Sequence, residues 1–243
     1  MKLFKNIRRS LVDQQNFKKY LFYAIGEILL VMIGISLAFQ LDNWDENRIN
    51  KNTEIRFYEN IKEQIIDDKE LIKSQFDYNN HYMTQFRFAN KMIELNDRSK
   101  LDTLAVIVRN LTMYSDFDKE GNIYETMVNS GQIKLLHNLE IVNGIRELEE
   151  LYHYVNRMES IHYDAMMKHA VLLINPVISL STSKIMKPDA VFNYQFQNIV
   201  ILLIQIMEEK DKTYLQTLKE IDRVIKLINE ELGGKGPKEV LVK

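Results

Sequence analysis

Two glutamate–histidine pairs come closest to a known chemical motif in this sequence. Glu150 and His153 form one pair and Glu159 and His162 the other, and each pair matches the Glu-x-x-His element of di-iron helical bundles. The pairs lie nine residues apart on one predicted helix, so they face opposite sides, because each residue turns a helix by about 100°. A di-iron centre needs the two elements on separate helices, with two further carboxylates. The sequence therefore predicts no metal site.

No other arrangement of side chains predicts catalysis. The sequence contains no G-x-S-x-G, no H-E-x-x-H and no glycine-rich phosphate loop. It has no cysteine, which excludes disulfides, thiolate catalysis and cysteine-ligated metals. Its net charge of −2 gives no reason to expect nucleic acid as a partner. We therefore expect neither enzymatic activity nor a cofactor.

Polar side chains interrupt the apolar stripe of the helix that carries both pairs. After Val155 the stripe continues as Glu159, His162, Met166, His169 and Leu173. Glu159, His162 and His169 are therefore expected to form a polar cluster in the core. Three interpretations stay open: a satisfied buried hydrogen-bond network, a helix face that leaves the core near its end, and a small-ligand or pH-sensing pocket built on His162 and His169.

The elements that position these residues are predicted to be helices. Strand alternation is absent, and apolar residues recur at steps of three and four. With only 8 glycines and 3 prolines, loops must be few. The predicted fold is all-α: an N-terminal transmembrane helix followed by an extracytoplasmic helical bundle with long coiled-coil-like helices. The bundle helices are expected at residues 53–95, 101–113, 123–129, 138–175 and 189–232.

The last two helices are expected to fold back on each other through a loop at residues 176–188. Asn138 is the predicted N-cap of the first. Apolar residues of the second follow the 3-4 spacing typical of a coiled-coil pairing surface, interrupted only at Asp211. A hairpin centred near residue 182 places His153 close to Asp211, within about one helical turn.

Residues 20–41 have the length and composition of a membrane span. Glu27 is their only formal charge, and a helix of this length crosses a hydrocarbon core about 30 Å thick. Tyr20 lies at one end and Trp44 just beyond the other, as in interfacial aromatic belts. Two alternatives are a cleaved signal peptide, since Ser36 and Ala38 form a small-x-small site, and a buried core helix.

The charge distribution predicts an orientation for this span. Residues 1–19 carry a net charge of +5 and the rest of the chain −7, and positively charged flanks stay in the cytoplasm. We expect residues 1–19 to form a cytoplasmic basic segment, and residues 45–232 to form one extracytoplasmic domain. Residues 233–243 are expected to be a flexible tail. The predicted location is the inner (cytoplasmic) membrane, with the domain in the periplasm.

One face of the predicted span groups Tyr23, Glu27, Gly34 and Ala38. A carboxylate in the bilayer is unfavourable unless it is neutral, paired or able to reach the interface. Tyr23 is one turn away and could donate its hydroxyl, and Gly34-x-x-x-Ala38 permits close approach of a second helix. Either this is a helix–helix contact face, or Glu27 is protonated or reaches the interface without a partner.

The N-terminal region resembles a known family. Tyr23-Ala24-Ile25-Gly26-Glu27, Ile33-Gly34, Leu37-Ala38 and Asn43-Trp44 are similar to the signature of an uncharacterised bacterial family of single-pass membrane proteins, common in Bacteroidota. A second stretch, from Tyr124-Glu125 through Ser130-Gly131 to Leu135 and Asn138, is also similar to the family pattern. The family is described only by a domain of unknown function. The resemblance therefore implies a membrane anchor and no catalytic residue.

These features favour a membrane-anchored interaction or scaffold protein of the cell envelope. Its expected partners are the lipid bilayer and proteins that the sequence does not identify, with self-association through the Glu27 face as a secondary hypothesis. The alternative is an extracytoplasmic sensor or small-ligand-binding domain that acts through a membrane partner.

Overall fold

The computed structural model describes residues 17–119, 121 and 123–235. The predicted cytoplasmic segment up to residue 16 and the predicted tail beyond residue 235 lie outside these residues. Most described residues are helical and only a single short pair of strands is present among them, which confirms the all-α prediction. The elements are α1 (Phe17–Glu94), α2 (Leu101–Asn110), α3 (Ile123–Asn129), a 3-10 helix (Gln132–Leu135), α4 (Leu139–Ala165), a π-helix (Met166–Ala170), α5 (Val171–Ile174), β1 (Ile178–Ser179), β2 (Lys184–Ile185), α6 (Pro188–Val191) and α7 (Tyr194–Lys235).

The chain divides into two compact units, with the boundary between Glu54 and Ile55. In the first unit, the large apolar side chains from Leu21 to Trp44 are 45–76% exposed. Among the described residues, α1 is the one helix long and apolar enough to cross a membrane. Its most apolar 18-residue window has a mean hydropathy of 2.2 and contains no buried residue.

The second unit is built on residues 55–94 of α1, on α4 and on α7. The α1 segment and α7 are antiparallel. In their ion pairs, a later residue of α1 contacts an earlier residue of α7. Lys69 pairs with Asp222 at 2.7 Å, and Arg87 pairs with Glu208 at 2.8 Å. These surface ion pairs mark the alignment and add little stability.

The pairing of α4 with α7 is also antiparallel, but the predicted register is wrong. Arg223 donates to Glu147 at 3.0 Å, and His162 lies 3.3 Å from Lys210. The contacts are displaced along α7 by about two helical turns from the prediction, which placed exposed His153 beside Asp211. The prediction took residue 182 as the midpoint of the hairpin. The real connection is asymmetric, because α7 begins only at Tyr194.

The segment between α5 and α7 contains structure where a loop was predicted. Strands β1 and β2 form a two-stranded antiparallel hairpin, with Ile178 opposite Ile185, and α6 follows as a separate helix. The side chain of Asn193 accepts a hydrogen bond from the Phe196 amide at 2.8 Å. This cap starts α7 after α6, whereas the sequence predicted one helix from residue 189.

Two predicted helix ends are confirmed. Asn138 caps α4 by accepting hydrogen bonds from the amides of Glu140 and Ile141. Gly131 follows α3 with φ of 72°, the left-handed conformation that favours glycine. At the other end of the unit, α7 continues past the expected stop at Leu232 and ends at Lys235.

The side chains of the second unit form two apolar clusters. Cluster 1 contains buried residues from 83–93, 104–111, 166–178 and 191–207. Cluster 2 contains buried residues from 58–72, 117–155 and 214–228. A short stretch separates the residues of one cluster from those of the other along α1, along α7, and between α4 and the π-helix.

Gly144 permits a close approach of α4 to α7 beside cluster 2. A Cβ atom at this position would lie 2.9 Å from Cγ2 of Val224 and 3.1 Å from a guanidinium nitrogen of Arg223. Real Cβ contacts are longer than 3.0 Å, so a larger side chain at position 144 would force the two helices apart.

Candidate functional site

Buried polar residues occupy the space between the two apolar clusters. They come from α1, the loop after α2, α4 and α7. We call this set the polar layer, and it consists of Asn79, Ser115, Glu159, His162, Lys210 and Tyr214. Because buried polar groups are unfavourable unless they bond to one another, their contacts decide what the layer can do.

Lys210 is the central residue of the polar layer and is only 1% exposed. Its Nζ donates to the carbonyl oxygen of Ser115 at 3.3 Å and lies 3.3 Å from Nδ1 of His162. Burial lowers the pKa of Lys210 to about 8, and the nearby carboxylates, Glu159 first, oppose that shift. A pKa of about 8 leaves the ammonium mostly charged at neutral pH.

His162 is fully buried beside this ammonium. An ammonium group can only donate, so Nδ1 of His162 accepts the hydrogen bond and the ring proton resides on Nε2. Nε2 is buried without a hydrogen-bond partner. Burial, followed by the charge of Lys210, lowers the pKa of His162 to about 3, so the imidazole is neutral in the folded protein.

Glu159 is buried one helical turn from His162 and uses both carboxyl oxygens. Oε1 accepts a hydrogen bond from the hydroxyl of Tyr214, and Oε2 accepts from the backbone amide of Phe117 at 2.8 Å. Burial raises the pKa of Glu159, while these hydrogen bonds and the charge of Lys210 oppose that increase. Burial, followed by the charge of Glu159, raises the pKa of Tyr214, which therefore remains a hydrogen-bond donor.

Asn79 and Ser115 connect the layer to two further segments. Asn79 donates to the carbonyl oxygen of Met207 at 2.9 Å and to the carboxylate of Asp211 at 2.7 Å. The hydroxyl of Ser115 lies 2.9 Å from that of Tyr214. The layer thus bonds α1, the loop after α2, and α4 to α7 at one level of the bundle.

The structure brings together two of the three residues predicted as a polar cluster. Glu159 and His162 lie in the polar layer, but His169 is exposed, so its placement in the cluster is wrong. The cause is the π-helix at Met166–Ala170, which inserts one extra residue into the helical turn. After Met166 the buried positions are Ala170 and Ile174, one residue later than the predicted stripe.

The other predicted positions do not converge on a site. Glu150 and His153 are exposed on α4, away from the layer. Within the described parts of the chain, no group of three His, Asp or Glu side chains is placed to hold a metal ion.

On the first unit, the side chains predicted as a membrane contact face lie along α1. Tyr23, Gly34 and Ala38 are exposed and Glu27 is partly buried. No atom lies within 4 Å of a Cβ built on Gly34. A second helix therefore has room to approach at this position.

Lys210 and its partner Tyr214 were not predicted as site residues. The sequence placed Asp211 at the break in the apolar stripe of α7, whereas Lys210 is the buried residue and Asp211 is only partly buried. The available signal was spacing, since Lys210 lies three residues after Met207 and four before Tyr214. Those are core positions on a helix, but a lysine there is usually assigned to the surface.

A surface groove of about 370 Å³ adjoins the polar layer at Glu159. Its other lining residues are Tyr114, Asp116, Ser160, Tyr163 and Asp164. The groove gives the edge of the layer an approach from solvent, whereas Lys210 and His162 lie deeper. The geometry holds a buried ammonium beside a neutral imidazole, with the hydrogen-bonded carboxyl group of Glu159 near enough for its charge to act on Lys210.

Comparison with known proteins identifies a family but no activity. The profile of a family of unknown function, DUF6090, matches residues 27–210, about three quarters of the chain. No curated protein and no solved structure matches it. The match supports the expectation of a family without an assigned activity, and it extends from Glu27 to Lys210.

The hydroxyl of Tyr214 offers a direct test of the polar layer. Tyr214→Phe keeps the ring but removes a donor to Glu159 and a partner of Ser115. We expect it to lower the free energy of unfolding by about 1–3 kcal/mol, because both buried partners lose a hydrogen bond. The measurement is chemical unfolding of the full chain in non-ionic detergent, followed by circular dichroism.

Tyr163→Phe is the matched control, since Tyr163 is an exposed tyrosine on α4. It should change the free energy of unfolding by less than about 0.5 kcal/mol. If Tyr214→Phe falls within the same limit, the hydroxyl does not hold the layer together.

Proposed function

The chain belongs to DUF6090, a family of unknown function, and we propose that it is a membrane-anchored helical interaction protein of the cell envelope. The observation that carries this proposal is the exposed apolar stretch of α1 in a chain whose second unit buries its own core. We further propose that the chain has no catalytic role and that its partners are the bilayer and other proteins.

A lipid environment accounts for the exposed stretch of α1 better than water does. Burying one large apolar side chain is worth about 1.5–3 kcal/mol, and the large apolar residues from Leu21 to Trp44 are exposed. Contiguous apolar surfaces of this kind mark membrane or protein contacts. The length of residues 20–41 matches the hydrocarbon core, about 30 Å thick, which favours lipid as the main contact.

The orientation follows from the charges on either side of the stretch. Residues 1–19 carry +5, whereas Asp42, Asp45 and Glu46 follow the span. We propose that the N-terminus stays in the cytoplasm, that residues 20–41 cross the inner membrane of a bacterial cell, and that the second unit faces the periplasm. Retention of the span is part of the proposal, since a signal peptide would be removed.

Two surfaces are available for protein partners. Gly34 and Ala38 let another helix approach α1 within the membrane, and Glu27 on the same face would supply a polar contact there. Self-association is the simplest use of this face. The second unit provides the other surface, formed by the exposed sides of α4 and α7.

The second candidate function is an extracytoplasmic sensor that acts through a membrane partner. The observation that favours it is the polar layer. It places a buried charge between two apolar clusters, so a change in the protonation of the neighbouring groups would alter the packing of the unit.

Topology reporters test the anchor. Alkaline phosphatase fused after Gly234 should be active and green fluorescent protein at the same position dark, while an N-terminal tag remains on the membrane-bound chain. The control replaces Lys2, Lys5, Arg8 and Arg9 by Asn and Asp42, Asp45 and Glu46 by Lys, which should invert part of the population. A cytoplasmic reporter on the unchanged chain contradicts the orientation, and loss of the N-terminal tag identifies a cleaved signal peptide.

Affinity capture from native membranes tests the interaction role. The full chain is compared with a variant whose residues 20–41 are replaced by an unrelated apolar span. A partner that both retain binds outside the span, and a partner that only the natural span retains binds within the membrane. If neither chain retains a stoichiometric partner or a second copy of itself after crosslinking, the interaction role is wrong.

A further inference from the structure

The polar layer gives the second unit a response to acid that goes beyond an interaction role and does not depend on it. We propose that the layer is a proton-sensitive joint, in which protonation of His162 separates α4 from α7 between the two apolar clusters. The closed state is the one described above, with a neutral imidazole beside the ammonium of Lys210. The open state exposes His162 and Lys210 to water.

The geometry makes the closed state incompatible with a second proton on His162. Nδ1, the atom that would take the proton, accepts from Lys210 Nζ at 3.3 Å. Protonation would remove this hydrogen bond and place two cations side by side in buried surroundings, away from water. Lys210 is also held to the carbonyl oxygen of Ser115. The repulsion between the two cations is therefore relieved when the helices separate.

The charged and titratable groups around the polar layer lie on α1, the loop after α2, α4 and α7. From α7 they are Lys210, Asp211 and Tyr214, and Glu159 is on α4 itself. The loop after α2 adds Asp116, and α1 adds Arg87, whose charge acts on Asp211. Among these groups Lys210 is the one whose charge acts on His162.

His162 sets the direction of the response. Its pKa is about 3 in the closed state against an ordinary value of 6.5, so the open state binds a proton that the closed state does not. The contribution of His162 to the stability of the closed state is therefore fully present above pH 6.5 and is lost as the pH falls towards 3. In this window the ratio of open to closed molecules rises about tenfold per pH unit.

Glu159 and Lys210 act differently over the same range. The pKa of Lys210 is about 8, so the ammonium stays charged throughout the acid range. The pKa of Glu159 is raised, so the closed state takes up a proton there more readily than the open state, which favours closure. A protonated Glu159, however, no longer offsets the charge of Lys210. Replacing His162 alone isolates its share of the response.

Hydrogen exchange of the full chain in detergent tests the joint between pH 7.5 and 4.5. Protection factors, which are corrected for the intrinsic effect of pH, are compared for peptides that cover residues 155–165 and 205–216. In the wild-type chain they should fall about 50-fold more between pH 6.5 and 4.5 than in His162→Gln, because half of the open-state imidazole is already protonated at pH 6.5. The glutamine can accept from Lys210 but cannot take up a proton.

His153→Gln is the matched control, because His153 is an exposed histidine on the same helix. It should keep the wild-type loss of protection. Equal pH dependence in the wild-type chain and in His162→Gln overturns the proposal. Because the exchange is measured in detergent, this outcome is separate from the topology and capture results.

A second measurement uses only the wild-type chain, in case His162→Gln does not fold. Nuclear magnetic resonance of histidine labelled with ¹³C at Cε1 follows the protonation of His162. The resonance should stay in the neutral position in the closed state and should change only together with the loss of protection. Protonation near pH 6.5 without any loss of protection contradicts the joint.

Discussion

The buried ammonium of Lys210 is the constraint on which the second unit depends. A charge in an apolar interior is tolerated only where other groups solvate it. Here those groups belong to different segments: Ser115 in the loop after α2, and His162 and Glu159 on α4. If α7 slipped by one turn, about 5.4 Å, Lys210 would lose these partners. We infer that the polar layer fixes the register of the bundle, while the two apolar clusters supply most of its stability.

The two units place apolar residues in opposite environments. In the second unit they are buried in two clusters on either side of the polar layer. In the first unit, the apolar residues of α1 are exposed, although they belong to the same kind of regular helix. This contrast supports the proposed anchor, because a hydrocarbon core can take the place of a protein core for one helix.

Much of the fold could be predicted from the sequence because its signals are local. The 3-4 spacing, the cap at Asn138 and the turn at Gly131 each depend on a few neighbouring residues. The paired positions of Glu159 and His162 followed from the same spacing. The π-helix at Met166–Ala170 has no such signal in the sequence, and the extra residue turned His169 to the surface. The register of α4 with α7 depended on the length of an irregular connection, which periodicity does not determine. The polar partner of Glu159 and His162 on α7 could not be chosen until that register was known.

The most direct test of the central claim is disulfide formation between α4 and α7. The chain contains no cysteine, and a Cβ at position 144 would lie 2.9 Å from Cγ2 of Val224. In the variant with Gly144→Cys and Val224→Cys a sulfur replaces that methyl group, and about 3 Å is the usual distance from a Cβ to the far sulfur of a disulfide. This pair should therefore form a disulfide without forcing the helices apart. Pairs of Gly144→Cys with Thr217→Cys or Ile228→Cys report a slipped register and should not crosslink. With Glu159→Leu, His162→Leu and Lys210→Met added, crosslinks should spread to the slipped pairs. If that apolar variant still crosslinks only 144 with 224, the polar layer does not set the register.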